Sequence, residues 1–363
     1  MFGFGEKPFL GIDIGSSAVK VALLKKSKRG YDLLNFGMVS LPQDSIVDGI
    51  VEDPEAVVSA IKKLIQAEKL SGYRECVFTI SGQSVIIKKI TVPLMSEADL
   101  AQSIQQEAEQ YIPFDIEEVN VDFQVVKAEG ELPKKGEKPP EGDDRQMDVL
   151  LVAAKKDILK DQATLLQQAG LKPIIADLDV FALENCFELS NGLDVDDTFA
   201  MINIGASTSN MNIIEGGITA FTRDIPAGGA NITEAIQKGL NVAFKDAETI
   251  KMGHLSSGMR KEEVIPHIKT GVSALCKEIS STLDNFHKTS DGRVRRIYIA
   301  GGGSMMEGMD SLMTKELGLE CKLMDPFKNL KVNTKMFDPE YLESIGPMAA
   351  IAIGLATRAV DDK

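Results

Sequence analysis

The chain has 363 residues, 44% of them hydrophobic and 26% charged, with 54 acidic against 40 basic side chains and a formal net charge of −14. This suits a soluble protein with two sizeable cores and argues against a broad nucleic-acid or anionic-lipid surface, which needs clustered Lys and Arg. Cys76, Cys186, Cys276 and Cys321 form no C-x-x-C pair, His254, His267 and His287 lack metal-ligand spacing, and no signal-peptide-like or spanning apolar stretch occurs; zinc and membrane insertion are not expected, a cytoplasmic location is.

Phe9 to Leu24 reads as a strand, a tight turn at Gly15-Ser16-Ser17 and a strand returning from Ala18. Asp13 lies between Ile12 and Ile14, and a buried unpaired carboxylate costs several kcal/mol, roughly, so a cation or strong donors are expected beside it. The glycine and two small hydroxyl residues that follow leave main-chain N–H groups accessible to a phosphate. Two readings fit: a nucleotide-tail site, or a buried hairpin whose Asp caps its own turn. Leu33 to Ser40 reads as a third strand. Asp53-Pro54 opens a helix through Leu70, ended by Ser71-Gly72, and Glu75 to Ile80 is a buried strand.

From Ser81 the character changes. Ser84 to Val92 is a strand closed by Pro93, and Ser96 caps a helix to Ile112 with Leu100, Ile104, Ala108 and Tyr111 as its apolar stripe. Val119 to Val126 and Met147 to Ala154 alternate as strands. Residues 84–154 thus form a small α+β insertion, with polar Lys127 to Gln146 predicted as a mobile hairpin tip. Lys156 to Ala169 is a helix returning to the first domain, and Leu171 to Glu184 is a strand leading into an apolar helix.

The opening pattern then recurs. Met201 to Ile214 lies over Gly11 to Leu24 without a gap, placing Asn203 on Asp13, Gly205 on Gly15 and Ser207 on Ser17. A repeat so far apart is no solenoid period; it predicts two domains of one fold, each offering a phosphate hairpin to a shared cleft. Gly228-Gly229 leads into a helix from Ile232 to Leu240, Asp246 to Lys251 lies on another, and Glu263 to Lys288 is a long helical segment. Arg296 to Gly308 is an apolar strand running into three glycines; Met306 breaks a G-x-G-x-x-G fingerprint, and no P-loop motif occurs. Gly346 to Arg358 reads as a small-residue helix.

The two hairpins, followed by Gly301-Gly302-Gly303, resemble the actin-like ATPase superfamily, and the insertion resembles that of its FtsA-like branch. Met1 to Ser17, Ile90 to Met95, Glu107 to Phe114, Ala169 to Pro173 and Gly354 to Ala356 are similar to the PilM family of type IV pilus assembly proteins. The resemblance implies an α/β actin-like fold of two related domains around a nucleotide cleft. The first domain would be 1–83, completed by 155–198 and 340–363; the FtsA-like insertion 84–154; the second domain 199–339, with a helical subdomain at about 240–290.

It also implies ATP and Mg²⁺ as cofactors. Asp13 would hold Mg²⁺ through water, and amides around Gly15, Ser16, Ser17, Gly205, Ala206, Ser207 and Thr208 would bind the β- and γ-phosphates, with Lys20 as counter-charge. Gly228, Gly229 and Asn231 would lie near the phosphates and ribose, Glu248 and Lys251 would meet ribose and base, and Gly302, Gly303, Ser304 and Met305 would pack under adenine. Asn203 departs from the superfamily's usual Asp. A neutral side chain there implies ATP binding with slow or no hydrolysis. The implied partner is the short cytoplasmic N-terminal segment of the membrane protein PilN, docking in a groove between the first domain and the insertion. Other inner-membrane pilus components and self-association are also implied, with the chain held at the inner face of the bacterial inner membrane for pilus biogenesis and twitching motility. Two alternatives remain open. One is a small-molecule kinase, with Asp177, Asp179 or Glu184 as its base; the other is a membrane-bound filament protein of the FtsA type, against which Arg358 to Lys363 offer no amphipathic helix.

Overall fold

The structure is a computed structural model that describes residues 7–47, 49–82, 84–133, 144–255 and 257–359. The chain divides into two compact units, Met1–Thr79 with Leu165–Asp362, and Ile80–Thr164.

The larger unit holds two sheets built on one plan. In the first, the order is Lys172–Leu178, Glu75–Ile80, Leu10–Ile14, Ala18–Ser27, Gly30–Ser40 and Lys331–Val332. In the second it is Glu320–Leu323, Arg296–Ala300, Thr198–Ile204, Ser209–Glu215 and Ile218–Ile225. Each sheet is organised around a hairpin whose first strand also pairs in parallel with a strand arriving later in the chain. The sequence repeat is therefore a topological repeat, and the register keeps it: Asp13 lies opposite Lys20, and Asn203 opposite Asn210.

Two helices pass closely in the core of this unit, Asp179–Asn191 and Ala350–Ala356. A Cβ on Gly354 would fall 1.7 Å from the Ala182 carbonyl oxygen, and one on Gly11 2.3 Å from that of Ala352. Only a hydrogen at these positions lets the backbones meet. Phe187 packs on Phe199 and Tyr298, with ring centroids 4.8 and 4.6 Å away.

Local signals hold where a side chain serves its own turn. Asp53 caps the helix Pro54–Ala67 by accepting from the Ala56 amide. Its end differs from expectation: Lys69, at φ 56°, makes the left-handed stop and the Leu70 amide reaches back to the Ile65 carbonyl, so the turn closes before Ser71-Gly72. The helix expected from Ile232 begins at Gly229. The small-residue helix expected over Gly346 to Arg358 is a 3-10 turn, Gly346–Ala349, continuing as Ala350–Ala356.

The smaller unit is an antiparallel sheet in the order Val85–Pro93, Gln146–Lys155, Val119–Ala128. Ser96 caps the helix Glu97–Glu109, accepting from the Asp99 amide at 3.1 Å. Leu100, Ile104 and Ala108 of that helix share a core with Ile90, Val92, Met147, Val149 and Leu151. Lysines lie over two aromatic rings here, Lys155 over Phe114 and Lys88 over Tyr111. Of the polar tip expected at 127–146, the pairing continues to Ala128 opposite Met147, while 134–143 lie outside the described residues. Among the described residues no helix is long and apolar enough to cross a membrane.

Candidate functional site

The turns of the two hairpins have the same construction. Gly15 donates its amide to the Ala18 carbonyl at 3.1 Å, and Gly205 donates to the Thr208 carbonyl at 3.0 Å. Between those anchors, the amides of Ser16, Ser17, Ala206 and Ser207 donate to no acceptor among the described residues. The two turns face each other, with Ser16 Oγ 3.0 Å from Ser207 Oγ. Four unspent N–H groups on facing turns are what an anion with several oxygens needs.

Asp13 is 7% exposed, and its Oδ2 receives a hydrogen bond from Lys20 Nζ at 2.7 Å. The cation expected beside a buried carboxylate is thus Lys20 itself. Lys20, which the resemblance offered as a phosphate counter-charge, is paired with Asp13 in this structure. Asp13 Oδ1 accepts no hydrogen bond among the described residues, which leaves one oxygen for a metal-bound water.

The second turn is fastened from below. The amides of Gly229 and Ala230, in the first turn of the helix Gly229–Leu240, donate to the carbonyls of Gly205 and Ala206 at 2.9 and 2.8 Å. Gly228 donates to Asn231 Oδ1 at 2.8 Å and its carbonyl accepts from the Asn231 amide, so Asn231 caps the helix. The Gly228 and Gly229 amides are thus both spent, on Asn231 and on the Gly205 carbonyl, and these glycines anchor the second hairpin turn. Side chains are excluded at two of these glycines: a Cβ on Gly228 would lie 2.6 Å from the Gly205 oxygen, and one on Gly303 2.4 Å from Ile204 Cγ2.

Lys251, expected to meet ribose and base, is buried at 6% exposure. Its ammonium donates to the Gly229 carbonyl (3.2 Å), Thr233 Oγ1 (3.0 Å) and Glu248 Oε2 (2.8 Å). It pins the helix start under the second turn, and only Glu248 of that pair reaches solvent. Thr233 was not singled out in the sequence; its hydroxyl is the hub of this network, also bonding Glu248. Gly302, Gly303, Ser304 and Met305 form one 3-10 turn. Ser304 is fully buried and donates to the Gly301 carbonyl at 2.7 Å, so it braces the turn, while a Cβ on Gly302 would come no nearer than 3.9 Å to another group, Met348 Cε.

Asn203 donates to Asn210 Oδ1 at 3.2 Å, and Asn210 donates to Asp224 Oδ1 at 2.7 Å. Neither Asn210 nor Asp224 stood out in the sequence. The one available signal was that Asn210 falls on Lys20 in the repeat. Glu184, a candidate kinase base, is committed elsewhere: its Oε2 accepts from Thr219 (2.6 Å) and Asn212 (3.0 Å), and burial raises its pKa above the usual range. Asp177 is buried with its Oδ2 3.4 Å from Arg358 Nε. The four cysteines are free and buried, and burial pushes the Cys76 and Cys276 thiols up to about 12, which suits core residues rather than nucleophiles. Among the described residues no group of His, Cys, Asp and Glu is arranged to hold a metal by itself.

A sequence profile described as type IV pilus assembly protein PilM matches residues 11–360. The chain belongs to the PilM family. The structure superposes on that of a PilM-PilN type IV pilus biogenesis complex with a TM-score of 0.82, at 28% identity, over 98% of this chain and 99% of that one. The chain is also similar to the cell division protein FtsA of Bacillus subtilis (strain 168), 26% identical in an alignment of 374 positions, gaps included, that spans 93% of this chain and 82% of FtsA. MreB 5 of Spiroplasma citri bound to AMPPNP shares the fold at a TM-score of 0.51 and 12% identity, over 96% of this chain and 94% of MreB 5. This PilM-family chain therefore has the actin-like ATPase fold, and its two hairpins are the repeated elements of that fold.

Proposed function

We propose that this PilM-family chain is an ATP-binding scaffold of type IV pilus assembly that binds the N-terminal cytoplasmic segment of PilN. The observation that carries the nucleotide reading is the set of four open amides on two facing turns, one turn from each repeat. The residues fit a magnesium nucleotide: Asp13 keeps one oxygen unbonded, and Gly205, Gly228 and Gly303 at the second turn sit where a Cβ would clash. Amides of Ser16, Ser17, Ala206 and Ser207 would hold phosphate oxygens, Asp13 would hold the magnesium through water, and the Gly302–Met305 turn would lie under the base. When bound, the metal would neutralise phosphate charge.

Hydrolysis is slow in this reading because Asn203 is neutral where Asp13 is charged, so no second carboxylate organises an attacking water. The PilN reading is supported by family membership and by the 0.82 match to a PilM-PilN complex. The docking surface in this reading lies on the Ile80–Thr164 unit, whose sheet edges and amphipathic helix are separate from the hairpin turns. Through PilN the chain would be held at the cytoplasmic face of the inner membrane, among other assembly components and with self-association.

The test is titration of a peptide carrying the PilN N-terminal segment into the full chain, with hydrogen exchange read on the same complex. One-to-one binding with slowed exchange in Val85–Pro93 or Val119–Ala128 is expected. Absence of binding overturns the scaffold reading, and protection confined to the hairpin turns overturns the placement.

A further inference from the structure

In the first hairpin the cross-strand pair beside the turn is ionic, Asp13 opposite Lys20. The same register in the second hairpin holds Asn203 opposite Asn210, and the row runs on to Asp224 on the third strand. Asn210 is nearly buried, and each member bonds the next: Asn203 Nδ2 to Asn210 Oδ1, Asn210 Nδ2 to Asp224 Oδ1.

The row has a direction, and one residue sets it. A primary amide has a donor end and an acceptor end and can be turned either way; a carboxylate only accepts. Asp224 therefore requires the Nδ2 of Asn210. That turns the Asn210 carbonyl toward Asn203, which must answer with its own Nδ2. The atom left over is Asn203 Oδ1, which accepts no hydrogen bond among the described residues and is not sealed from solvent. It lies against Gly301, whose Cβ would fall 2.4 Å from it.

We propose that Asp224 is a positioning residue for the magnesium-bound nucleotide: through Asn210 it makes Asn203 present a carbonyl oxygen, not an amide N–H, at the register that Asp13 occupies in the first hairpin. An oxygen accepts from a metal-bound water, whereas an N–H group repels it. The proposal rests on the reading of the facing turns as a nucleotide site. It deepens that reading by giving the second hairpin a metal-side role despite its neutral Asn203.

The test is calorimetry of ATP binding to the full chain, with magnesium and with EDTA, for wild type and Asp224→Asn. The substitution keeps the shape but supplies a donor, so the row can reverse. The gain in affinity on adding magnesium is expected to fall about tenfold, the scale of one hydrogen bond to a charged group, with affinity in EDTA and the Tm unchanged. Adding Asn203→Asp to Asp224→Asn is expected to restore the gain, because an acceptor-only side chain needs no direction from the row; a merely structural Asp224 would not be rescued this way. Asn210→Leu, which cuts the row at its middle, is expected to show the same loss and serves if Asp224→Asn does not fold. An undiminished magnesium gain in the variants, or no rescue by Asn203→Asp, overturns the positioning role while leaving the nucleotide reading intact. Wild type that fails to bind ATP overturns the nucleotide reading itself, and this proposal with it.

Discussion

Ser16 and Ser207 stand 191 residues apart in sequence, yet their hydroxyl oxygens lie 3.0 Å from each other across the two hairpin turns. Each belongs to a turn whose own glycine amide is closed on a carbonyl and whose tip amides are open. A hydroxyl pair of this kind contributes about 1 kcal/mol. A double-mutant cycle on Ser16→Ala and Ser207→Ala, read by thermal or denaturant unfolding without nucleotide, is expected to show coupling of about that size. With saturating Mg-ATP the coupling is expected to vanish, because phosphate held by the turn amides replaces the direct contact. Persistence of the coupling under Mg-ATP would show that the phosphates do not sit at these tips.

The glycines divide into two kinds. A Cβ on Gly15 would meet its nearest neighbour, the Ala18 carbonyl oxygen, at 3.4 Å, whereas on Gly205 it would meet the Thr208 oxygen at 2.5 Å and on Gly354 the Ala182 oxygen at 1.7 Å. Gly15→Ala should therefore leave stability within about 0.5 kcal/mol, while Gly205→Ala and Gly354→Ala should each cost about 2 kcal/mol or more, with Gly354→Ala the worst. Chemical denaturation of the three variants checks the order.

Which parts of this were legible in the sequence follows from the range of each interaction. Asp53 and Ser96 were readable as caps because each bonds an amide three residues on. The second hairpin was readable because its repeat preserves spacing, whereas the facing of Asn203 and Asn210 came only with the strand register. What was hidden depends on partners brought together by folding. The pairing of Lys20 with Asp13 depends on the hairpin closing. The burial of Lys251 depends on Thr233, 18 residues earlier, to which its ammonium donates. Asp224 carried no signal of its own in the sequence, since its pairing requires knowing which residue of the neighbouring strand it faces.

Glu184 gives a pH signature. Desolvation raises its pKa in the fold, so over the range between its ordinary value and that raised value the folded state holds more protons than the unfolded chain. Stability contributed by this group is therefore present at low pH and lost as pH rises through that window. Glu184→Gln keeps an oxygen for Thr219 and Asn212 and removes the charge. The variant is expected to melt about 2 °C above wild type at pH 7, with the difference disappearing toward pH 4. An unchanged or lower Tm at neutral pH would show that the ionised form is favoured in the fold.

Turnover should be far below the roughly 1–100 per second of dedicated phosphoryl-transfer enzymes, because no second carboxylate stands at the position of Asn203. Phosphate release from ATP under multiple-turnover conditions measures this. Steady release at several per second, abolished by Asp13→Ala, would contradict the scaffold reading and restore an enzymatic one.

The central claim, that the two facing turns hold the phosphates of Mg-ATP, is most directly tested by calorimetry on wild type and Gly15→Val. A Cβ on Gly15 would stand 3.4 Å from the Ala18 carbonyl oxygen, 3.6 Å from Lys20 Nζ and 3.8 Å from Asp13 Oδ1, so the branched side chain of Gly15→Val crowds the turn beside the Asp13–Lys20 pair; its Tm is measured alongside to establish that the variant is folded. The account predicts one Mg-ATP per wild-type chain and at least about a tenfold loss of affinity in Gly15→Val. Wild-type affinity in a folded Gly15→Val, or no binding to wild type, would contradict it.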